Sequence, residues 1–198
     1  MKIGCRVYLL MVGCFFLCNS LSMSEEVASP ADKFTVIMLK AQICDRKIKD
    51  LIKDKIVVGV IYDAADMKSK TFADQVNNDI SALQSVVKIG DQKSVAAVEF
   101  SLPSPFDKEK LVEQLRQNNI SVAVMAMTNK NLVQSAVEST RLMQISSFCN
   151  YPNCSDNGVA FEIIERDKKP KMLFNLDLAK QEGSDYTANF LTLCEHVK

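Results

Sequence analysis

Three stretches of the chain are short, rich in β-branched residues and apolar at nearly every position: KIVVGVIYD (Lys55–Asp63), SVAAVEF (Ser94–Phe100) and ISVAVMAM (Ile120–Met127). A strand with one wet face alternates apolar and polar residues. Unbroken apolar runs of this length predict strands covered on both faces, as in a parallel sheet. The segments between them change period. SKTFADQVNNDISALQSVV sets Phe72, Val76, Ile80 and Leu83 on one helical face. FDKEKLVEQLRQNN does the same with Leu111, Val112 and Leu115, behind Asp107 as a helix cap. NKNLVQSAVESTRLMQ follows the third run in the same way. Strands alternating with amphipathic helices predict βαβ units.

The C-terminal part reads differently. Val159, Phe161 and Ile163 alternate with Ala160, Glu162 and Ile164. After the turn RDKKP, Met172, Phe174 and Leu176 alternate with Leu173, Asn175 and Asp177. This pattern predicts a hairpin, and so an antiparallel edge. A last helix over Asp185–Val197 carries Tyr186, Phe190, Leu193, Cys194 and Val197 on one face. A first helix carries Phe34, Ile37, Met38, Ala41, Cys44 and Ile48. Phe161, Phe174, Phe190 and Leu193 are expected in the core. The fold class is α/β: a single compact domain, mostly parallel sheet with flanking helices and a C-terminal antiparallel hairpin.

The N-terminus adds a compartment. MKIGCRVYLLMVGCFFLCNSLSMSEE places Lys2 and Arg6 before an apolar run from Val7 to Cys18, then the small residues Ser20 and Ser22. That is the pattern of a secretory signal peptide, too short for a membrane span. Residues 1–22 are read as the signal and 23–198 as the domain, exported to the periplasm. Export removes Cys5, Cys14 and Cys18 and leaves Cys44, Cys149, Cys154 and Cys194, an even number in an oxidising compartment. Cys149 and Cys154 fall in the polar stretch SSFCNYPNCSDNG. They read as a disulfide across a short exposed loop, open to reduction, with zinc and a redox couple as the rival readings. Cys44 and Cys194 face inward on the two terminal helices, either as a second bridge or as two buried thiols.

Charge and motifs narrow the function. The 24 basic and 24 acidic residues balance, and there is no tryptophan and no basic stripe, so nucleic acid is not an expected partner. YDAADMKSK, after the first strand, has no glycine to admit a phosphate, so no nucleotide cofactor is expected. Asp63 and Asp66 suit a magnesium pair or, more simply, a loop and a helix cap. His196 has no acidic or nucleophilic neighbour in sequence and falls in the last turn of the final helix. No catalytic constellation or metal site emerges, and the chain is not expected to be an enzyme. A parallel sheet still offers the carboxyl ends of its strands to a small ligand, here near Asp63, Ser101 and Thr128.

The motifs C-x4-C-x3-G-V-A-F-E-I, KPKMLFNLDLAKQEG and FLTLCEHV, with the opening LKAQICDRKIKDLIKDKIVVGVIYD, resemble the YfiR family of small periplasmic proteins. The matching positions are Cys149, Cys154, Gly158, Phe161, Phe174, Asn175, Leu176, Ala179 and Gly183. The resemblance implies a compact α/β regulator that tends to dimerise. It implies binding to the periplasmic part of an inner-membrane diguanylate cyclase, restraining cyclic-di-GMP production and biofilm formation. The alternative from the residues alone is a periplasmic small-ligand-binding protein feeding a transporter or sensor.

Overall fold

In a computed structural model, residues 33–47, 55–84 and 94–197 are described. The signal peptide expected at residues 1–22 and the helical position of Ile48 lie outside them. Among the described residues seven strands form one sheet in the order β2-β1-β3-β4-β5-β6-β7. β1 (Lys55–Asp63), β2 (Ser94–Leu102), β3 (Val122–Ala126), β4 (Ser146–Cys149) and β5 (Phe161–Arg166) pair in parallel. β6 (Lys169–Phe174) pairs antiparallel to β5, with Phe161 opposite Phe174. β7 (Glu195–His196) adds a short parallel edge to β6.

The strands form because both faces are covered. Ile56, Val58 and Val60 on β1 point into one apolar cluster, and Val57 and Ile61 into another. The first cluster lies under α1 (Lys33–Ile43) and α2 (Met67–Leu83), through Phe34, Met38, Phe72, Val76, Ile80 and Leu83. The second lies under α3 (Lys108–Gln117) and α4 (Lys130–Leu142), through Leu111, Leu115, Val133 and Val137. Asp107 caps α3 by accepting from Lys110 N at 2.9 Å, and Asn129 caps α4. The predicted face of α3 is narrower than expected, since Val112 is only half-buried.

Three sequence readings are corrected here. The polar stretch before Cys149 is not loop: Ser146–Cys149 is a buried strand, and its four residues are too few to show a period. The strand of the hairpin ends at Phe174, and Asn175 caps the short α5 (Leu176–Gln181), accepting from Leu178 N at 3.1 Å. The final helix does not run over Asp185–Val197. Its helical part, α6, spans only Ala188–Leu191, capped by Thr187. The chain then turns, and Glu195–His196 pairs with the edge of β6, where Val197 N donates to Phe174 O at 3.0 Å. An unpaired edge strand is a stronger demand than six further residues of helix. Leu193 is therefore 45% exposed rather than core. Phe161, Phe174 and Phe190 are core as expected, and pack with Phe148 and Tyr186 in one aromatic group.

Candidate functional site

The strand order reverses direction between β2-β1 and β3-β4, so the crossover helices leave the sheet on opposite faces at the carboxyl ends of β1 and β3. In open α/β sheets this switch point opens a crevice for a ligand. At this point of the sheet lies Ser69, which is fully buried in the first turn of α2. Ser69 Oγ accepts from Asp63 N at 2.9 Å and donates to Ala126 O, so one hydroxyl fastens the ends of β1 and β3 together. Asp63 Oδ1 accepts from Ala65 N at 2.9 Å, and Asp66 caps α2 by accepting from Lys68 N at 3.0 Å. Asp63 thus closes the turn after β1 and Asp66 caps α2. Ser101 and Thr128 are both exposed at the ends of β2 and β3. β4 delivers Asn150 and Tyr151 to the same end of the sheet. Tyr151 stacks edge-on against Phe72 at 5.7 Å, and burial together with the Asp66 charge pushes its phenol upward. Asn150 Oδ1 is shielded from solvent and accepts no hydrogen bond.

The loop beyond β4 is tied twice. Cys149 and Cys154 lie at disulfide distance, with Cα atoms 6.4 Å apart. Both are buried, Cys149 at 0% and Cys154 at 3%, against the expectation of an exposed bridge. The sulfurs turn inward because Cys149 is the last residue of a covered strand and packs with Val159 and Ile145. Glu162, which alternates with Phe161 and Ile163, is 2% exposed on β5. Its carboxylate accepts from Asn153 N at 3.0 Å, Ser155 N at 3.3 Å and Ser155 Oγ at 3.1 Å. Pro152 and Asn153 remain exposed at the tip. Gly158 leaves the loop with φ +93°, and a Cβ there would lie 2.9 Å from an Arg141 nitrogen. That nitrogen donates to Gly158 O at 2.6 Å, so only glycine fits both the turn and the clamp.

At the amino end of β4 lies a polar group that sequence patterning missed. Glu182, 1% exposed, accepts from Ser147 N at 2.9 Å and from Ser147 Oγ, which in turn accepts from Ala160 N at 3.0 Å. Burial pushes the Glu182 carboxyl up to about 8, against the opposing pull of Ser147 and Arg141. Ser146 Oγ and Ser184 Oγ are 2.7 Å apart, and Gln42 donates to Tyr186 Oη at 3.2 Å. The one available signal was a run of small polar residues, SS and GSDY, flanked by apolar positions. His196 sits in β7 rather than at a helix end, its Nε2 3.0 Å from Leu191 O and its ring against Phe174. Leu176 opens α5, half-buried, and Cys44 and Cys194 are each 8% exposed in the same core cluster.

Among the described residues no helix is long and apolar enough to cross a membrane. No protein-family model and no curated protein sequence matches the chain. Solved structures do. The chain is similar to a structure described as the ABC domain in complex with L-Trp from Streptococcus pneumonia, with TM-score 0.52 and 10% identity over 72% of this chain and 56% of that one. It is also similar to a conserved domain protein from Vibrio cholerae, with TM-score 0.58 and 8% identity over 86% of this chain and 60% of that one. The chain thus spans somewhat more than half the length of each. At these identities the likeness is one of fold: a single α/β domain with a mostly parallel sheet, flanking helices and an antiparallel β5-β6 hairpin.

Proposed function

We propose that this protein is a small-ligand-binding domain whose ligand occupies the crevice at the carboxyl ends of β1 and β3. The observation that carries the reading is the switch point itself, fastened by Ser69 and bordered by Asp63, Thr128, Asn150 and Tyr151. Asn150 Oδ1 is a buried acceptor without a donor, which a ligand N–H or O–H would satisfy. The fold likeness to a domain crystallised with L-Trp makes amino acids the first ligands to try. The buried Cys149–Cys154 pair supports an oxidising compartment, where such a domain would feed a transporter or a sensor.

The regulatory role that the family resemblance implies needs a protein surface instead. The exposed tip Pro152–Asn153, held in shape by Glu162 and the cysteine pair, favours that second reading. One comparison separates them. Native mass spectrometry of protein isolated from its own cells, followed by titration calorimetry with the twenty amino acids, tests the ligand. A retained small molecule, or binding abolished by Thr128→Arg, supports the crevice. No ligand by either method, together with a membrane cyclase recovered on the protein and cyclic-di-GMP rising on deletion, would overturn it in favour of the regulator.

A further inference from the structure

We propose that Cys44 and Cys194 form a second disulfide, one that fastens the first described helix to the C-terminal segment. The two segments are already aligned for it. Asp45 and Tyr186 form an antiparallel bridge, Arg46 N donates to Asp185 O at 2.9 Å, and Asp45 Oδ1 accepts from Asp185 N at 3.0 Å. Thr187 N donates to the Cys44 carbonyl at 3.3 Å. The single turn of α6 then brings the chain back, and Cys194 Sγ lies over Phe190 O at 3.6 Å, in the same core cluster as Cys44. The structure carries both as thiols, each 8% exposed and buried in that one cluster. The bland reading, two thiols acting as small apolar side chains, accounts for burial. It does not account for two thiols brought into one cluster across 150 residues of sequence, counted from 44 to 194, by segments already paired through their backbones, in a chain whose other described cysteines pair.

The chemistry sets when the bond forms. Burial, with a contribution from Cys44, pushes the Cys194 thiol up to about 12, so the folded protein holds almost no thiolate to attack with. Pairing therefore takes place during folding, while the segment is still accessible. The step is an exchange. A thiolate of the pair attacks the disulfide of an oxidised thiol, such as glutathione disulfide, and the mixed disulfide is resolved by the other cysteine. One Sγ–Sγ bond is gained, one is lost from the oxidant, and the two protons leave with the two thiols it becomes.

The test is refolding of the full chain, reduced and denatured, in a buffer of reduced and oxidised glutathione. The product is alkylated and digested with trypsin without reduction. The expected product is AQICDR joined to QEGSDYTANFLTLCEHVK, a species that disappears on reduction. The proposal is overturned if both peptides appear alkylated, or capped by glutathione, while Cys149 and Cys154 are bridged to each other. A second readout uses the Cys149→Ser/Cys154→Ser chain. Reductant should still lower its melting temperature, by on the order of 10 °C for a loop this long. An unchanged melting temperature would count equally against the bond.

Discussion

Glu182 is a carboxyl group with almost no access to water, and its behaviour with pH follows from that. In the unfolded chain it titrates near 4.5; in the fold, burial raises it to about 8. Below pH 4.5 the group is protonated in both states and costs nothing. As pH rises towards 8 the unfolded chain gains the freedom to ionise while the fold withholds it, so stability falls, and levels off above about 8. The full effect is a few kcal/mol. Glu182→Gln should remove this slope: its melting temperature should vary less than that of the parent between pH 5 and pH 8, as read by calorimetry. Parallel profiles would show that the carboxyl is not the titrating group. Gly158→Ala tests a different residue-scale demand. The positive φ and the displaced Arg141 together should destabilise by about 1–3 kcal/mol, measured by denaturant melts. Both residues were poorly legible in advance. Gly158 was singled out only as a position of the family-like motif, and its clamp needs Arg141 seventeen positions away. Glu182 drew no reading from the sequence, because nothing in local periodicity reveals that a loop closes over the end of a strand.

Elements were legible in proportion to how many periods they contain. β1 and β2 have nine residues each, and α2 spans seventeen, long enough for composition and spacing to declare them. β4, with four residues, and α6, with four, are set by their neighbours instead. β4 is a strand because β3 and β5 offer it partners; α6 stops because β6 has an open edge. The hairpin was read correctly, and its strength can be checked. Phe174 touches Phe161, Tyr186, Phe190 and His196 and has no solvent exposure. Phe174→Ala should cost about 3–5 kcal/mol, and an unaltered melting temperature would contradict the packing. The loop after β4 has two ties of unequal kind. Closing so short a loop by a disulfide stabilises by roughly 2 kcal/mol on the chain-entropy model. Glu162 supplies three hydrogen bonds to the same loop. Cys149→Ser/Cys154→Ser alone should therefore keep the loop's shape, with the amides of Asn153 and Ser155 still protected from hydrogen exchange. Adding Glu162→Gln should release them. If the cysteine substitutions alone abolish protection, the carboxylate is not the second tie.

The whole molecule was legible at the level of class: alternating buried runs and amphipathic helices could only make a covered, mostly parallel sheet with its last strands turned back. What the pattern could not give was the order of strands, since a buried run does not say which neighbour it will choose, and the order is what sets the switch point. Placement of β1 at the centre, with β2 on one side and β3 on the other, brings Asp63, Ser101 and Thr128 to one end of the sheet. Those three residues had been singled out only because each follows a strand. If the crevice holds a ligand, binding must stabilise the folded chain by mass action. At a hundred times the dissociation constant this amounts to about 2.7 kcal/mol, or roughly 5–10 °C in melting temperature for a protein of this size. Thr128 is exposed, so Thr128→Arg should leave the unliganded protein as stable as before while filling the crevice. The shift produced by a bound amino acid should then vanish in Thr128→Arg. It should survive in Leu142→Arg, a substitution at another exposed position, at the far end of α4. Loss of the shift in both, or in neither, would mean that the ligand binds somewhere other than the switch point.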